Sequence, residues 1–198
     1  MHGLMNRAVE RFARDTYGDA FWTSVTDEAG LAFTTFEAML PYERDITDRV
    51  VNALANGLGK RREEVLEDIG TYLVASPKTD GLRRLLRFGG TDFVEFLNSL
   101  DELPARVRLA VPDLPMPQLE MREEDAETFS LVIRPQTGTE GLFGPVFLGL
   151  LRAMADDYGA LVFLDSNPAS SGADVIDVRL LDIDFAEARA FELGVQTG

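Results

Sequence analysis

Apolar residues in the first third of the chain recur at helical spacing. Leu4, Met5, Ala8, Val9, Phe12 and Ala13 fall on one face, while Arg7, Glu10, Arg11 and Arg14 take the other. This predicts a helix that Gly18, after Tyr17, brings to a stop. A short aromatic turn with Phe21 and Trp22 comes next. Asp45 is placed to cap a helix striped by Ile46, Val50, Leu54 and Leu58, with Gly57 and Gly59 loosening its end. Residues 63–74 form another, with Val65, Leu66, Ile69 and Leu73 inward. Residues 82–88 read as a short basic helix broken by Gly89 and Gly90. Thr91 or Asp92 caps the next, which carries Phe93, Phe96, Leu97 and Leu100. Pro104 suits the first turn of a helix running through Val107 and Val111, where its missing N–H has no intrahelical partner in any case. Pro112, Pro115 and Pro117 end that helix and force an extended path.

From about Gln118 the period becomes two. Phe129, Leu131 and Ile133 alternate with Ser130, Val132 and Arg134. After the loop PQTGTEG comes a helix with Val146, Phe147, Leu150, Leu151 and Met154, stopped by Gly159. Residues 161–164 read as a strand and 167–172 as a turn. Ile176, Val178 and Leu180 alternate, then Leu181, Ile183 and Phe185 continue on shifted parity, which predicts a bulge near Leu180. Helices in front and antiparallel strands behind indicate an α+β fold, with the helix between strands lying on the sheet.

Composition narrows the chemistry. Nineteen basic residues against 34 acidic ones give 198 residues a net charge of −15, which opposes nucleic acid and anionic membrane surfaces. There is no cysteine, so disulfides, thiol catalysis and thiolate metal sites are excluded, and His2 is the single histidine. The opening carries charges every few residues and reads as neither a signal peptide nor a span, so cytoplasmic residence without membrane insertion is the default expectation. Nothing assembles an activated nucleophile or a cofactor fingerprint, and no enzyme is expected.

The opening MHGLMNRAVERFARDTYGDAFW, the segment FGGTDFVEFLNSLDELPARVRLAVPDLPMPQLEM, and the strand and helix ETFSLVIRPQTGTEGL and GPVFLGLLRAMADDYG together resemble the heme-nitric-oxide/oxygen-binding (H-NOX) family, over roughly residues 1–185. The resemblance implies one domain over 1–188, with a helical distal part (1–60), a proximal part with the sheet (61–188) and a tail (189–198), fraying after Glu192. Such domains hold heme between the two parts. An axial histidine binds iron, a Tyr-x-Ser-x-Arg motif holds the propionates, a proline bends the ring, and the signal passes to a partner.

Matched position by position, the family's axial histidine falls on Pro104, which has no lone pair for iron. Pro135, Thr137 and Thr139 stand where Tyr, Ser and Arg would hold the propionates, and threonine cannot supply a guanidinium's charge or fork. The ring-bending proline is kept as Pro117. Met5 lies near the family's distal pocket, where a thioether is an available iron donor but more commonly fills core space. His2 is expected to serve as a backbone-bonded or solvent-facing terminal residue. Tyr72 and Tyr158 are expected to pack with wet hydroxyls. The clusters Arg83, Arg84, Arg87 and Lys60, Arg61, Arg62 are expected to be solvated faces with local ion pairs.

The resemblance therefore implies a regulatory domain that has kept the frame and lost the heme-holding residues. It would have no cofactor and a shrunken pocket filled by side chains such as Met5, Phe96 and Leu150. It would act on a signalling protein such as a diguanylate cyclase, histidine kinase or receptor. The alternative is a sensor whose cavity persists and takes heme through a non-histidine donor, or another flat or apolar molecule. An unrelated α+β enzyme would lack most of the usual catalytic residue types.

Overall fold

Helix α1 (Gly3–Tyr17) begins at His2, whose Nδ1 accepts the Leu4 N–H at 3.2 Å, and stops at Gly18. The computed structural model describes residues 1–168, 172–183, 185 and 188. The aromatic segment after Gly18 is a helix, α2 (Asp19–Glu28), and not a turn. Trp22, Val25, Thr26 and Ala29 recur at three- and four-residue spacing and are all buried, so packing sustains the helix. α3 (Arg44–Leu58) starts at Glu43, and no side chain caps it. Asp45 is not the cap. It lies in the first turn, where its carboxylate complements the helix dipole and pairs with Arg49 at 3.4 Å.

α4 (Arg62–Ala75) is followed by a 3-10 turn and α5 (Asp80–Arg87). Asp92 caps α6 (Phe93–Asn98) by accepting the Glu95 N–H at 2.9 Å. A second 3-10 turn leads to α7 (Leu103–Ala110), with Pro104 in its first turn. β1 (Gln118–Glu123) and β2 (Thr128–Arg134) precede α8 (Phe143–Tyr158), and β3 (Leu161–Pro168) and β4 (Asp174–Asp182) follow it. The sheet is antiparallel in the order β1-β2-β4-β3. Leu161 pairs with Asp182 and Val162 with Leu180, so Leu181 is the bulged residue that the parity shift predicts. Residues 169–171 of the predicted turn, Asp184 and the tail 189–198 lie outside the described residues.

Two apolar clusters form. One joins α1 to α4 around Trp22, Phe36, Val51 and Leu54. The other joins α5 to α8 with the sheet, around Phe93, Phe129, Leu131 and Leu151. α8 lies between the sheet and α4, and two glycines let the helices touch. A Cβ on Gly70 would overlap the Val146 carbonyl, and one on Gly149 would overlap the Glu67 carbonyl and crowd the Thr71 nitrogen. Thr71 Oγ1 also donates to the Gly149 carbonyl at 3.3 Å. Backbone cannot yield as a flexible side chain can. Gly149→Ala should therefore destabilise the fold by about 1–3 kcal/mol. Gly81→Ala, with open space around it in α5, should gain up to about 1 kcal/mol. Urea unfolding of the two variants reads both, and equal midpoints would refute the close-crossing argument.

Candidate functional site

A cavity of about 460 Å³ lies between the two clusters, within the range of small-molecule sites. α1 supplies Leu4, Met5, Arg7, Ala8 and Arg11. α4 supplies Leu66, Ile69 and Tyr72. α5 supplies Leu82, Leu85 and Leu86. α7 and the segment after it supply Leu103, Val107, Leu114 and Met116. α8 supplies Phe143, Val146, Phe147 and Leu150. The expectation of a filled pocket is thus corrected. Met5 and Leu150 form wall, not plug, and Phe96 packs away from it against Phe93 and Tyr158, at ring separations of 5.8 Å in each case.

The other family-matched positions do not line the cavity. Pro104 is buried in the first turn of α7, next in sequence to the wall residue Leu103 and one turn before Val107. Pro117 is buried directly after the wall residue Met116. Pro135 is half-buried and Thr137 exposed, while Thr139 is buried with its hydroxyl donating to the Gln136 carbonyl at 2.9 Å. The structure places Leu142 and Phe143, just beyond that loop, on the wall instead.

Two wall residues were assigned to solvent by the helical pattern, Arg7 and Arg11. Their signal was present. Leu4, Arg7, Ala8 and Arg11 stand at i, i+3, i+4 and i+7, which is one stripe of a helix. Glu10, also assigned outward, is buried. It accepts from Arg7 and Arg14 at 3.0 Å each and from the Phe36 N–H at 2.9 Å, so it ties α1 to the loop before α3. Burial is tolerable because every lone pair engaged faces a donor.

At the rim, Asp15 accepts from Lys78 and Tyr72. The Lys78 bond, then the Tyr72 bond, holds its carboxyl below the usual range, while burial raises the Tyr72 phenol. The cluster Lys60, Arg61, Arg62 keeps local partners in Asp68, Glu64 and Asp48. The other basic cluster departs from expectation. Arg84 pairs with Asp80, but Arg83 turns inward onto the fully buried Asp157 at 2.8 Å, and Arg87 lies 3.7 Å from it. Arg87 also sits 3.9 Å over the Tyr158 ring, and burial pushes that phenol up to about 12.

The donor set decides what a metal would meet. The wall offers no imidazole or thiol. His2 is committed to capping α1 and bridging Pro41, and it does not line the cavity. The thioethers of Met5 and Met116 and the phenol of Tyr72 are the softer or oxidised-iron donors available there. Thr47 already donates to Asn6 at 2.7 Å, and Thr79 to the Ser76 carbonyl at 2.9 Å. Heme held through histidine does not fit these residues. Among the described residues no group of three or more metal-ligating side chains gathers, and no helix is long and apolar enough to cross a membrane.

Known proteins share this architecture. An H-NOX protein mutant from K. algicida, solved as unliganded Fe(II), superposes with a TM-score of 0.77 at 14% identity, covering 92% of this chain and 97% of that one. An oxygen-binding H-NOX domain related to soluble guanylate cyclases gives 0.70 at 15% identity, covering 96% and 100%. In sequence, the soluble guanylate cyclase gcy-35 of Caenorhabditis elegans is 26% identical over 156 residues, 78% of this chain and 22% of the cyclase. Its relative gcy-31 is 25% identical over 134 residues, 68% and 19%. The chain thus spans about a fifth of the length of these curated relatives. The family model described as Haem-NO-binding matches residues 2–163, most of the chain. This chain belongs to the Haem-NO-binding family.

Proposed function

We propose that this is a regulatory domain that does not hold heme through histidine, binds a small apolar ligand in the cavity between its halves, and passes occupancy to a signalling partner. The carrying observation is a retained apolar cavity whose wall has no imidazole. The cyclase relatives support a signalling partner as its kind; a cyclase, a kinase or a receptor could each take that place. The domain itself is read as a sensor and not as a catalyst.

A second reading has its own support. Met5 and Met116 both reach the wall, and thioethers ligate heme iron elsewhere. Titration with hemin separates the two. The first reading expects a broad, unsaturating band without reversible nitric oxide binding. A sharp stoichiometric Soret band that Met5→Leu or Met116→Leu abolishes would establish the second. A stoichiometric complex that binds nitric oxide reversibly and survives both substitutions and Tyr72→Phe would overturn both readings.

A further inference from the structure

The charge on the cavity wall is opposite to that of the chain. The protein has 34 acidic and 19 basic residues, yet Arg7 and Arg11 are the charged residues that line the cavity, and no carboxylate does. They stand one helical turn apart on α1. Arg7 gives one nitrogen to Glu10. Arg14 lies between Glu10 and Asp19, and Lys78 is on Asp15. Those acids and bases neutralise one another. Arg11 is exposed at the rim and makes no direct hydrogen bond or ion pair among the described residues; Asp15, the acid its charge reaches, already holds Lys78, so the two cations share one carboxylate and one positive charge is in excess beside the opening.

We propose that the cavity takes an apolar molecule ending in a carboxylate, whose head is bound by Arg11 with help from Arg7. This rests on the reading of the cavity as a ligand site. A guanidinium fork meets a carboxylate with two parallel N–H···O bonds, while the ligand's body replaces water along the aliphatic wall. One uncompensated positive charge matches a carboxylate better than a doubly charged phosphate. A long-chain fatty acid has this chemistry; a porphyrin dicarboxylate, which the first reading of the cavity does not admit, serves as the contrasting probe.

The full chain is titrated with a fluorescent polyene fatty acid and its methyl ester, with metal-free protoporphyrin and its dimethyl ester, and with the neutral probe N-phenylnaphthylamine. Each acid that is a true ligand should bind about tenfold or more tighter than its ester. The advantage should shrink with added salt, because the rim is exposed. Arg11→Gln should remove most of it while leaving ester binding and the unfolding midpoint unchanged, and Arg7→Gln with Arg11→Gln should remove the rest. The fatty acid should bind more tightly than the porphyrin, and the reverse order would overturn the assignment. Equal binding of acid and ester, or an acid preference that survives both substitutions, would overturn the proposal. If the neutral probe binds and is excluded by Ala8→Trp but acids gain nothing, the cavity reading stands and the carboxylate inference falls. If no probe binds, both fall.

Discussion

Pro104→His should give the protein a sharp, saturable Soret band with hemin that the unaltered chain lacks. The cavity is open, and position 104 lies beside its wall between Leu103 and Val107. Proline there sits in the first turn of α7, where the backbone N–H has no intrahelical acceptor, so exchanging it costs the helix little. The positive end of the helix dipole disfavours an imidazolium and keeps the ring neutral, the form that ligates iron. Loss of groups that merely orient a metal ligand costs about 10–100-fold in affinity, so gaining the ligand itself should exceed that range. Restoring Tyr, Ser and Arg at positions 135, 137 and 139 should add less. Thr139 is buried and bonded to Gln136, so an arginine there must first rebuild the loop. Absorbance titration of Pro104→His beside Pro104→Ala measures the effect. Indistinguishable spectra would show that position 104 does not address the cavity.

Much of the frame was legible because local chemistry decides it. Gly18 and Gly159 stop α1 and α8, Asp92 caps α6, Pro104 opens α7, and the parity change marks the bulge at Leu181. What escaped depends on a second element being present. α2 has a modest periodic signal and becomes a helix through the burial of Trp22 and Val25, with Trp22 Nε1 donating to the Thr34 carbonyl at 2.7 Å. Glu10 looks like surface until the loop carrying Phe36 arrives to donate to it. Arg83 looks solvated until Asp157, 74 positions away in sequence, meets it. Site legibility divides the same way. The absence of imidazole could be read from composition, since His2 stands alone. Whether bulky side chains fill a cavity or line it is a property of packing. Gly70 and Gly149 set the close α4–α8 crossing that carries Leu66, Ile69, Val146 and Leu150 on the wall, while Met5 comes to it on α1.

Asp157→Ala should cost about 3–5 kcal/mol of stability, the expected penalty for breaking a buried ion pair. The carboxylate is fully buried on α8. Arg83 donates to Oδ1 through Nε at 2.8 Å, and Arg87 approaches Oδ2 at 3.7 Å from one turn later on α5. Truncation would remove the buried carboxylate that both guanidiniums share, leaving Arg83 facing the more exposed Asp80 at 3.8 Å. The effect should be local before it is global. α5 is eight residues long, too short to persist without its anchor, and it contributes Leu82, Leu85 and Leu86 to the cavity. Hydrogen exchange should therefore accelerate in α5 ahead of the sheet, and N-phenylnaphthylamine should lose its enclosed site under conditions where β2 and β4 remain paired. Asp157→Leu combined with Arg83→Met and Arg87→Met should recover most of the stability, because the desolvation of all three charges disappears together. Urea unfolding reads the first effect and the recovery. A loss below about 1 kcal/mol for Asp157→Ala, the range of an exposed pair, would mean that the arginines escape to solvent and that the ion pair does not hold α5 in place as a wall of the cavity.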